Sequence, residues 1–547
     1  MYSKNQNNFL DFSHPSALSV VIDSRLSKKA EINKDLLAHS DYIIIDFNAL
    51  SNKTLNLLAN NLSDLRKGCY KSMIFRISKK SEKIDPINVN SLLNVSHIFV
   101  DFWVMIKSKL DLKELEYIFN FARSLSSDSE IKLIIDITVS GIEELLNSDV
   151  MNSNLVRIVL LGKTRYPANG VLHYNALAEE YYVSSNLINI GRKISWSLGE
   201  KIFEKVKEVK RNRNLVQDFS ITQKHSETID YKRLYFNSIV VEYTKKCNSA
   251  CRHCYISASP ARDGYLAKEK IFDLIRAVEE IDVKILPFKR FCMAGGEVTL
   301  PEFIDDVIEI LEFARKRNFY TEIVTNGYVF AYDEEKAKLL ANAIDGLELS
   351  MSPYHIELMG REFYERVLRQ MVKLRLSGKH VIIRYQTTKE DTLLKLYKTF
   401  CEKIEGFVVV SSPVSCIGRA EKSIGMDKLW LIRPEMLKGG CWRNLNITIT
   451  SEGHITPCCA GSEITKYLKY GHIGEKDIKQ TIRQMTDDPY LYVLTRYPEK
   501  IVQELRELLP EKVSCFCELC VLINSIPQLY FRAREFVNSL LKVVSTR

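Results

Sequence analysis

Three cysteines close together in the middle of the chain are its strongest chemical signal. They follow the pattern CxxxCxxC at Cys247, Cys251 and Cys254. A cubane 4Fe-4S cluster that only transfers electrons takes four cysteine ligands, so a compact group of three leaves one iron free to bind another molecule. The spacing therefore predicts an iron-sulfur cluster that binds a substrate or cofactor at its open iron.

A zinc site, a disulfide and ordinary core thiols each fit this group less well. Structural zinc uses four ligands, usually in CxxC pairs, and His253 lies between two of the cysteines, where it could not face the same metal without strain. Disulfides need an oxidising compartment, yet the first residues, MYSKNQNN, contain no cleavable apolar segment. The remaining alternative is three unconnected core thiols, which seldom occur in such a cluster.

The segments that flank the cysteines must position them. Residues 236–243 form an apolar, β-branched stretch typical of a strand, and residues 268–281 have the apolar spacing of a helix. A second predicted strand ends in Gly295, Gly296 and Glu297. Glycines allow close backbone approach to a ligand, and a carboxylate beside them can hold an ammonium group. With these motifs the chain resembles the radical SAM enzymes over residues of roughly 230 to 525.

The resemblance implies a binding site for S-adenosylmethionine. The GGE segment would hold the amino group of its methionine part, and Tyr255 would pack near its adenine. Thr325, Asn326 and Ser350 would lie where the ribose and the substrate meet, although Thr-Asn-Gly alone is an ordinary turn. Arg384 would meet the carboxylate of the cofactor, or else form an ion pair at a strand end.

The order of elements predicts the fold of this region. Further apolar stretches at 320–327, 346–353, 380–387 and 406–412 alternate with helical segments, which indicates right-handed crossovers and a parallel α/β sheet with ligands at the carboxyl ends of its strands. The resemblance implies a partial (β/α)6 TIM-like barrel, which we place at residues 230–430.

A second set of cysteines follows in residues 431–547. A predicted β-hairpin joins Cys441 to the neighbouring pair Cys458 and Cys459, and CxCxxC comes later in the chain. This region is similar to the SPASM and twitch extensions of radical SAM enzymes, but it has too few cysteines for the full SPASM pattern. We expect one auxiliary 4Fe-4S cluster, with Cys459 or Cys515 as possible substitute ligands, and four-thiolate zinc is the alternative. Its expected ligands are Cys441, Cys458, Cys517 and Cys520.

Residues 1–215 read as a separate α/β domain with a parallel sheet. Its predicted strands lie at 19–23, 42–47, 73–77, 97–102, 132–136 and 156–161, and a helical stretch spans 112–124. Asp23, Asp46, Asp101 and Asp136 are predicted at strand ends, where they either line a ligand-binding edge or begin turns. The domain contains no phosphate-binding glycine loop and no DxHxxG element, so its role is open.

Composition indicates where the protein is located and which partners it lacks. Thirteen cysteines in 547 residues, seven of them assigned to clusters, favour a reducing and therefore cytoplasmic location. No apolar run is long enough to span a bilayer, and we expect no membrane contact. The net charge of +9 is modest, and the basic run at 205–213 contains Glu208, so we expect a solvated helix or a linker there and no nucleic-acid partner.

The resemblance also implies an activity. A donor such as flavodoxin or ferredoxin would reduce the cluster, and reductive cleavage of S-adenosylmethionine would give a 5'-deoxyadenosyl radical that abstracts a substrate hydrogen. An auxiliary cluster suits net oxidation, so the first hypothesis is a maturase that oxidatively modifies a peptide or protein. The alternatives are a dehydrogenase acting on a sugar or cyclitol, an epimerase, and a non-catalytic iron-sulfur scaffold.

Two further residues are candidates for catalysis. Cys416 follows a predicted strand and could return a hydrogen atom in an epimerase, or it could be a buried structural thiol. His355 could transfer a proton, or it could be a hydrogen-bonded loop histidine.

Overall fold

The computed structural model describes the central and carboxyl-terminal parts of the chain almost continuously and the first 230 residues in segments. The described residues are 17–22, 42–46, 71–77, 98–106, 130–136, 141–153, 156–161, 171–175, 180–184, 192–193, 204, 234–282, 285–286, 289–377, 379–437, 441, 445–459, 466–474 and 477–545. No helix in these ranges is long and apolar enough to cross a membrane.

Eighteen strands occur in the described residues. Nine precede residue 200: β1 (Ala17–Ile22), β2 (Tyr42–Asp46), β3 (Lys71–Ile77), β4 (Ile98–Ile106), β5 (Glu130–Asp136), β6 (Val156–Leu161), β7 (Val171–Asn175), β8 (Glu180–Ser184) and β9 (Arg192–Lys193). Nine follow residue 235: β10 (Ile239–Glu242), β11 (Arg290–Ala294), β12 (Tyr320–Thr325), β13 (Gly346–Ser350), β14 (His380–Thr387), β15 (Val408–Pro413), β16 (Ile447–Ile449), β17 (His454–Thr456) and β18 (Gly471–His472).

Fifteen α-helices accompany these strands in the same ranges. They are α1 (Ile142–Asn147), α2 (Asp149–Ser153), α3 (Lys268–Glu279), α4 (Ile304–Arg315), α5 (Tyr328–Tyr332), α6 (Glu334–Ala343), α7 (Pro353–Met359), α8 (Arg361–Leu376), α9 (Leu393–Ile404), α10 (Arg419–Ser423), α11 (Ile478–Thr486), α12 (Pro489–Arg496), α13 (Pro498–Leu505), α14 (Phe516–Ser525) and α15 (Pro527–Ser545). Short 3-10 turns lie at Met426–Lys428, Pro434–Met436, Lys466–Leu468 and Arg506–Leu508.

All eighteen strands belong to one sheet. Strands β10 to β15 are parallel neighbours in chain order, and β16 pairs in parallel with β10 before β17 and β18 continue antiparallel. Strands β1 to β6 are likewise parallel neighbours, β7 pairs with β1, and β8 and β9 follow antiparallel. The two sets join where β6 pairs antiparallel with β15.

Alternation along the central strands separates two faces of the sheet. One face packs against helices such as α3, whose Ile271, Leu274, Ile275 and Val278 form a single buried stripe. Residues that alternate with this core face the other way, and they include the polar side chains Glu242, Glu348 and Arg384. The central sheet therefore has an apolar side that stabilises the fold and a side that carries charge.

These elements confirm the predicted mixed α/β fold with parallel strands. One strand end was placed wrongly, because β4 continues to Ile106 and Asp101 lies within it, paired with Ile74 and Glu130. Asp46 and Asp136 are the last residues of β2 and β5. Asp23, the helical stretch 112–124 and the basic run 205–213 lie outside the described residues.

The division into units at 1–215, 230–430 and 431–547 stays a prediction. The sheet itself crosses both expected boundaries, because β6 pairs with β15 and β16 pairs with β10. Beyond β18, helices α12 to α15 pack around a second core that includes Leu494, Ile501, Leu519 and Tyr530.

Candidate functional site

The three central cysteines lie on one loop between β10 and α3. Cys247 and Cys251 are 8% and 5% exposed, and Cys254 is half-buried. The loop is closed at its base, since Cys247 N donates to Ser259 O at 3.2 Å and Leu266 N donates to Tyr243 O at 3.0 Å. The thiols are therefore presented from a loop that is hydrogen-bonded on both sides.

The surroundings of these thiols suit ligands of a positively charged centre. Burial raises the pKa of each thiol, and that of Cys251 rises to about 12, with the neighbouring Cys254 adding to the effect. Backbone N–H groups donate to two of the sulfurs, from Ser249 to Cys247 at 3.4 Å and from Ala258 to Cys254 at 3.3 Å. Such donors favour the thiolate, and bound iron would supply the charge that burial otherwise opposes.

A single ion is not what this arrangement fits. Among the described residues, no three His, Cys, Asp or Glu side chains converge to hold one metal ion. An iron-sulfur cubane does not require such convergence, because each thiolate binds a different iron. The donor set therefore suits a cluster better than an isolated zinc.

Gly295 and Gly296 press against the backbone of the cysteine loop. A Cβ on Gly295, whose φ is +127°, would lie 2.6 Å from Thr244 O, and one on Gly296 would lie 2.0 Å from Lys246 O. Gly296 N and Glu297 N donate to the same two carbonyls at 2.6 and 2.9 Å. Close approach of backbone to backbone is thus one physical reason for these glycines, in addition to the ligand contact that we predicted.

Glu297 is buried and bonded to the chain itself. Its Oε1 accepts from Thr299 N at 2.9 Å, Thr299 Oγ1 at 2.6 Å and Thr325 Oγ1 at 2.8 Å, and its Oε2 accepts from Asn326 N at 2.8 Å. Burial raises the pKa of this carboxyl, and the hydrogen bonds oppose that effect. The carboxylate thus ties the ends of β11 and β12 together, and its role toward an ammonium group stays a prediction.

Asn326 connects β12 to the cysteine loop. Its Nδ2 donates to Asn248 Oδ1 at 2.8 Å and lies 4.0 Å from Cys247 Sγ, while its Oδ1 accepts from Tyr328 N at 3.1 Å. Thr325 Oγ1, besides its bond to Glu297, accepts from Gly327 N at 2.9 Å. The structure therefore brings these two predicted residues to the edge where the cysteines lie.

The remaining predicted cofactor residues lie on the polar face of the sheet or beside it. Tyr255 donates to Glu242 Oε1 at 3.1 Å. Arg384 forms a two-point ion pair with Glu348, which is the alternative considered from the sequence, and Glu348 raises the pKa of the guanidinium. Ser350 is the register partner of Arg384 on the neighbouring strand, and its carbonyl accepts from Tyr364 at 3.0 Å.

His355 has a structural environment. It occupies the third position of α7, where its Nδ1 lies 2.7 Å from Ser352 Oγ and both groups form a capping box. Its ring also meets the ring of His253 edge to face, with 4.9 Å between centroids. Burial lowers the pKa of His355 to about 4. It is therefore neutral at physiological pH, and a role in proton transfer stays a prediction.

Cys416 lies between the two cysteine groups of the chain. It packs in one apolar cluster with Cys251, Cys254 and Tyr354. Its backbone N–H donates to Ser514 Oγ at 2.9 Å, and burial raises the pKa of its thiol to about 11. The segment after β15 thus contacts the cysteine loop on one side and the start of CxCxxC on the other.

The carboxyl-terminal cysteines form a second group. Cys441 raises the pKa of Cys517 and of Cys520, and Cys458 raises that of Cys441 and of Cys517, so these four thiols are neighbours. Cys515 belongs to the same group, because it is the main cause that raises the pKa of Cys517. The four predicted ligands therefore lie near the start of α14, and a cluster shared by them stays a prediction.

Cys459 points elsewhere. The charged groups that act on it are Glu242, Arg384 and Glu348, on the polar face of the central sheet. Burial raises the pKa of its thiol to about 11. Of the two substitute ligands considered from the sequence, Cys515 is close to the group and Cys459 is directed toward the other site.

Sequence reasoning missed Arg419. This residue begins α10, and its guanidinium donates to Cys251 O at 2.8 Å and to Ala258 O at 2.6 Å, which fixes the cysteine loop from the side of β15. Gly418 precedes it with a φ of +65°, and a Cβ there would lie 2.1 Å from Tyr255 O. The available signal was the pair Gly418-Arg419, in the short segment that follows the predicted strand 406–412.

The chain is similar to known proteins over more than half of its length. The chain is similar to YydG of Bacillus subtilis (strain 168), which carries the name of a peptide biosynthesis protein; the two are 19% identical over 317 residues, or 54% of this chain and 95% of YydG. It is also similar to the solved structure of anSMEcpe with bound AdoMet, with 16% identity, a TM-score of 0.35, and coverage of 57% of this chain and 95% of that one.

A further solved structure matches over a longer range. The cobalamin-dependent S-adenosylmethionine radical enzyme OxsB is 12% identical, with a TM-score of 0.25 and coverage of 98% of this chain and 81% of that one. TM-scores of this size do not carry fold or activity from one protein to another. The family model described as the Radical SAM superfamily matches residues 241–393, which include the cysteine loop, the GGE segment and Asn326. Residues 241–393 are therefore a radical SAM superfamily domain.

Proposed function

We propose that the protein is a radical SAM enzyme that oxidatively modifies a peptide or protein with the help of one auxiliary 4Fe-4S cluster. The observation that carries this proposal is the position of the segment after β15. Cys416 packs with Cys251 and Cys254, and its backbone bonds Ser514 beside the second cysteine group. Two groups of thiols therefore flank one common region, where a substrate would lie.

Several contacts fix the cysteine loop that would hold the first cluster. When bound, the cluster on Cys247, Cys251 and Cys254 and S-adenosylmethionine together supply a radical able to remove hydrogen from an unreactive C–H bond. The protein must hold the loop rigid and exclude competing hydrogen donors. Glu297, Asn326 and Arg419 fix the loop from three directions, through Lys246 O, Asn248 and Cys251 O.

The second group of thiols favours oxidation. Removal of one hydrogen atom leaves a substrate radical that must lose one more electron and a proton to complete an oxidation, and a cluster held by these thiols would accept that electron. Cys441, Cys458, Cys517 and Cys520 lie close enough to influence one another, and burial raises the pKa of Cys441 and Cys520. A bound metal centre would relieve the cost of charging these thiols. Zinc at the same residues is the competing assignment.

The peptide class rests on similarity to YydG, whose name refers to peptide biosynthesis. Oxidation of a sugar or cyclitol uses the same two centres and differs in substrate alone. Epimerisation is a second candidate function, favoured by the place of Cys416 in the apolar cluster beside Cys251 and Cys254. A non-catalytic scaffold would not need the GGE segment or its close packing on the loop.

One experiment separates these possibilities. Anaerobically reconstituted protein is given S-adenosylmethionine, a reductant and candidate peptides, and formation of 5'-deoxyadenosine is measured together with peptide mass in H2O and D2O. We expect turnover in wild type, none in the Cys247/Cys251/Cys254→Ala variant, and a peptide that loses two hydrogens. Deuterium incorporation without loss of hydrogen would identify an epimerase, and turnover stimulated by sugars but not peptides would overturn the peptide assignment.

A further inference from the structure

The first nine strands repeat the arrangement of the last nine. In each set, six parallel strands follow one another in chain order, and a seventh pairs in parallel with the first. An eighth and a ninth strand then follow antiparallel. Four residues separate the seventh strand from the eighth in both sets, 176–179 and 450–453. The two sets therefore also agree in their antiparallel eighth and ninth strands, which a row of six parallel strands does not by itself require.

The two sets meet through equivalent strands. The sixth strand of the first set is β6 and the sixth strand of the second is β15, and they pair antiparallel with Val408 opposite Val159 and Ser411 opposite Val156. Two identical subunits joined by a two-fold axis would pair their edge strands in this way, sixth strand against sixth strand. The order of strands across the whole sheet is accordingly the same when read from either end.

We infer that strands β1 to β9 are a second copy of the strand arrangement that holds the cysteine loop, and that this cluster-free copy occupies the place of a second subunit on β15. The first 230 residues contain one cysteine, Cys69, and the segment after β1, DSRLSKK, contains none. The copy therefore lacks the ligands for a cluster of its own. Its contribution must come from where it touches the other half.

The antiparallel junction decides which part of the first copy reaches the catalytic half. Because β6 and β15 run in opposite directions, the residues that precede β6 lie beside the carboxyl ends of β14 and β15. Asn152 in α2 is fully buried there, and its backbone carbonyl accepts from Thr387 Oγ1 at 2.6 Å. Met151 O accepts from Ser411 Oγ at 3.4 Å.

Asn152 also fixes the start of α9. Its Oδ1 accepts from Leu393 N at 2.8 Å, and its Nδ2 donates to Leu146 O and Ser148 O, both at 2.8 Å. Leu393 N is the first N–H of α9, which has no partner within its own helix. One buried side chain thus connects α1, α2 and the loop between β14 and α9.

That loop leads back to the cysteines. Thr388, next to Thr387, lies close enough to the hydroxyl of Tyr354 to lower its pKa, against the larger effect of burial, which raises it. The ring of Tyr354 stacks on that of His253, with 4.8 Å between centroids, and His253 lies between Cys251 and Cys254. Asn152 is therefore a positioning residue, through which the cluster-free copy supports one side of the cysteine loop.

Hydrogen exchange of full-length protein, prepared without iron, tests this inference independently of any activity. We expect the amides of 408–411 to be protected as strongly as those of 320–325 in β12, which is paired on both sides. Asn152→Ala should increase exchange across 387–393 by about 10- to 100-fold and leave 320–325 unchanged, because the N–H of Leu393 loses a buried partner. Glu143→Gln, which alters only an exposed ion pair with Lys398, is the matched control and should change nothing.

Thr387→Val supplies a second variant of nearly unchanged shape in case Asn152→Ala does not fold. It removes the bond to Asn152 O from the other half of the chain, so exchange across 149–153 should increase although the substitution lies 235 residues away. Fast exchange of 408–411 in wild type would show that β15 is a free edge and would overturn the inference. Unchanged exchange at 387–393 in Asn152→Ala and at 149–153 in Thr387→Val would do the same.

Discussion

Asn326 Nδ2 donates a hydrogen bond to Asn248 Oδ1 across 2.8 Å, and this contact joins the end of β12 to the cysteine loop. Asn248 directly follows Cys247, whose Sγ lies 4.0 Å from the same Nδ2. The carboxylate of Glu297 accepts a hydrogen bond from the backbone N–H of Asn326. The first thiol is thus positioned by a chain of contacts that begins at the end of β11.

The first prediction concerns this pair of amides. Asn326→Ala and Asn248→Ala should each speed the loss of iron from anaerobic reconstituted protein to a chelator, because each removes the same partly buried hydrogen bond, worth about 0.5 to 1.5 kcal/mol. The double variant should lose iron little faster than either single variant. Fully additive effects would show that the two side chains do not act together.

The second prediction concerns the close contact of Gly296. Gly296→Ala should lower the amount of cluster that assembles, since the new Cβ would lie 2.0 Å from a backbone carbonyl that cannot move without moving the cysteine loop. We expect a cost of about 1 to 3 kcal/mol in stability. Iron content and unfolding by urea provide the two measurements.

Gly264→Ala is the control for that substitution. Gly264 has a positive φ, +88°, which Gly296 does not have, but its missing Cβ meets no atom within 4 Å. This variant should therefore show backbone strain alone and assemble its cluster normally. Equal loss of iron in both variants would argue that any change of backbone in the cysteine loop, and not the contact with Lys246 O, accounts for the effect.

The third prediction separates two adjacent cysteines. Wild type should contain about eight irons, and Cys458→Ala should retain about four, because it removes a ligand of the auxiliary cluster. Cys459→Ala should keep all of them, since the charged neighbours of Cys459 are Glu242, Arg384 and Glu348. Iron analysis with EPR is the measurement. Loss of iron in the Cys459 variant with retention in the Cys458 variant would reverse the assignment.

The fourth prediction is a pH dependence at His355. Burial lowers its pKa to about 4 from the ordinary value of 6.5, so the unfolded chain takes up the proton first as the pH falls. The stability that comes from burying a neutral His355 should therefore be fully present above pH 6.5. It should decrease by about 1.4 kcal/mol per pH unit as the pH falls toward 4. His355→Gln preserves the capping-box pattern without a titrating group.

Urea unfolding of iron-free protein at several pH values between 7.5 and 5 checks this expectation. The stability of wild type relative to His355→Gln should decline as the solution becomes more acidic. Parallel pH profiles for the two proteins would mean that His355 does not contribute to the pH dependence of stability. A gain in the stability of wild type relative to His355→Gln in acid would mean that burial raises the pKa of His355, the opposite of our expectation.

Local pattern was sufficient for much of the fold. The apolar stretch at 236–243 contains β10, the spacing at 268–281 contains α3, and the segment 156–161 coincides with β6. Each of these elements is a short continuous segment, and the spacing of its apolar residues can be seen directly in the sequence. Asp101 shows the limit, because nothing in the sequence marks whether a strand stops at a carboxylate or continues through it to Ile106.

By itself, the sequence determined which residues could bind iron and on which elements they lie, because ligand spacing and apolar periodicity are local properties. Only the tertiary structure decided which of them meet. Cys458 and Cys459 are adjacent in sequence yet have different neighbours, since the groups around each thiol come from segments that are distant in the chain. Asn152 and Leu393, 241 residues apart, are bonded because β6 pairs with β15, and such a pairing is decided by packing between distant segments.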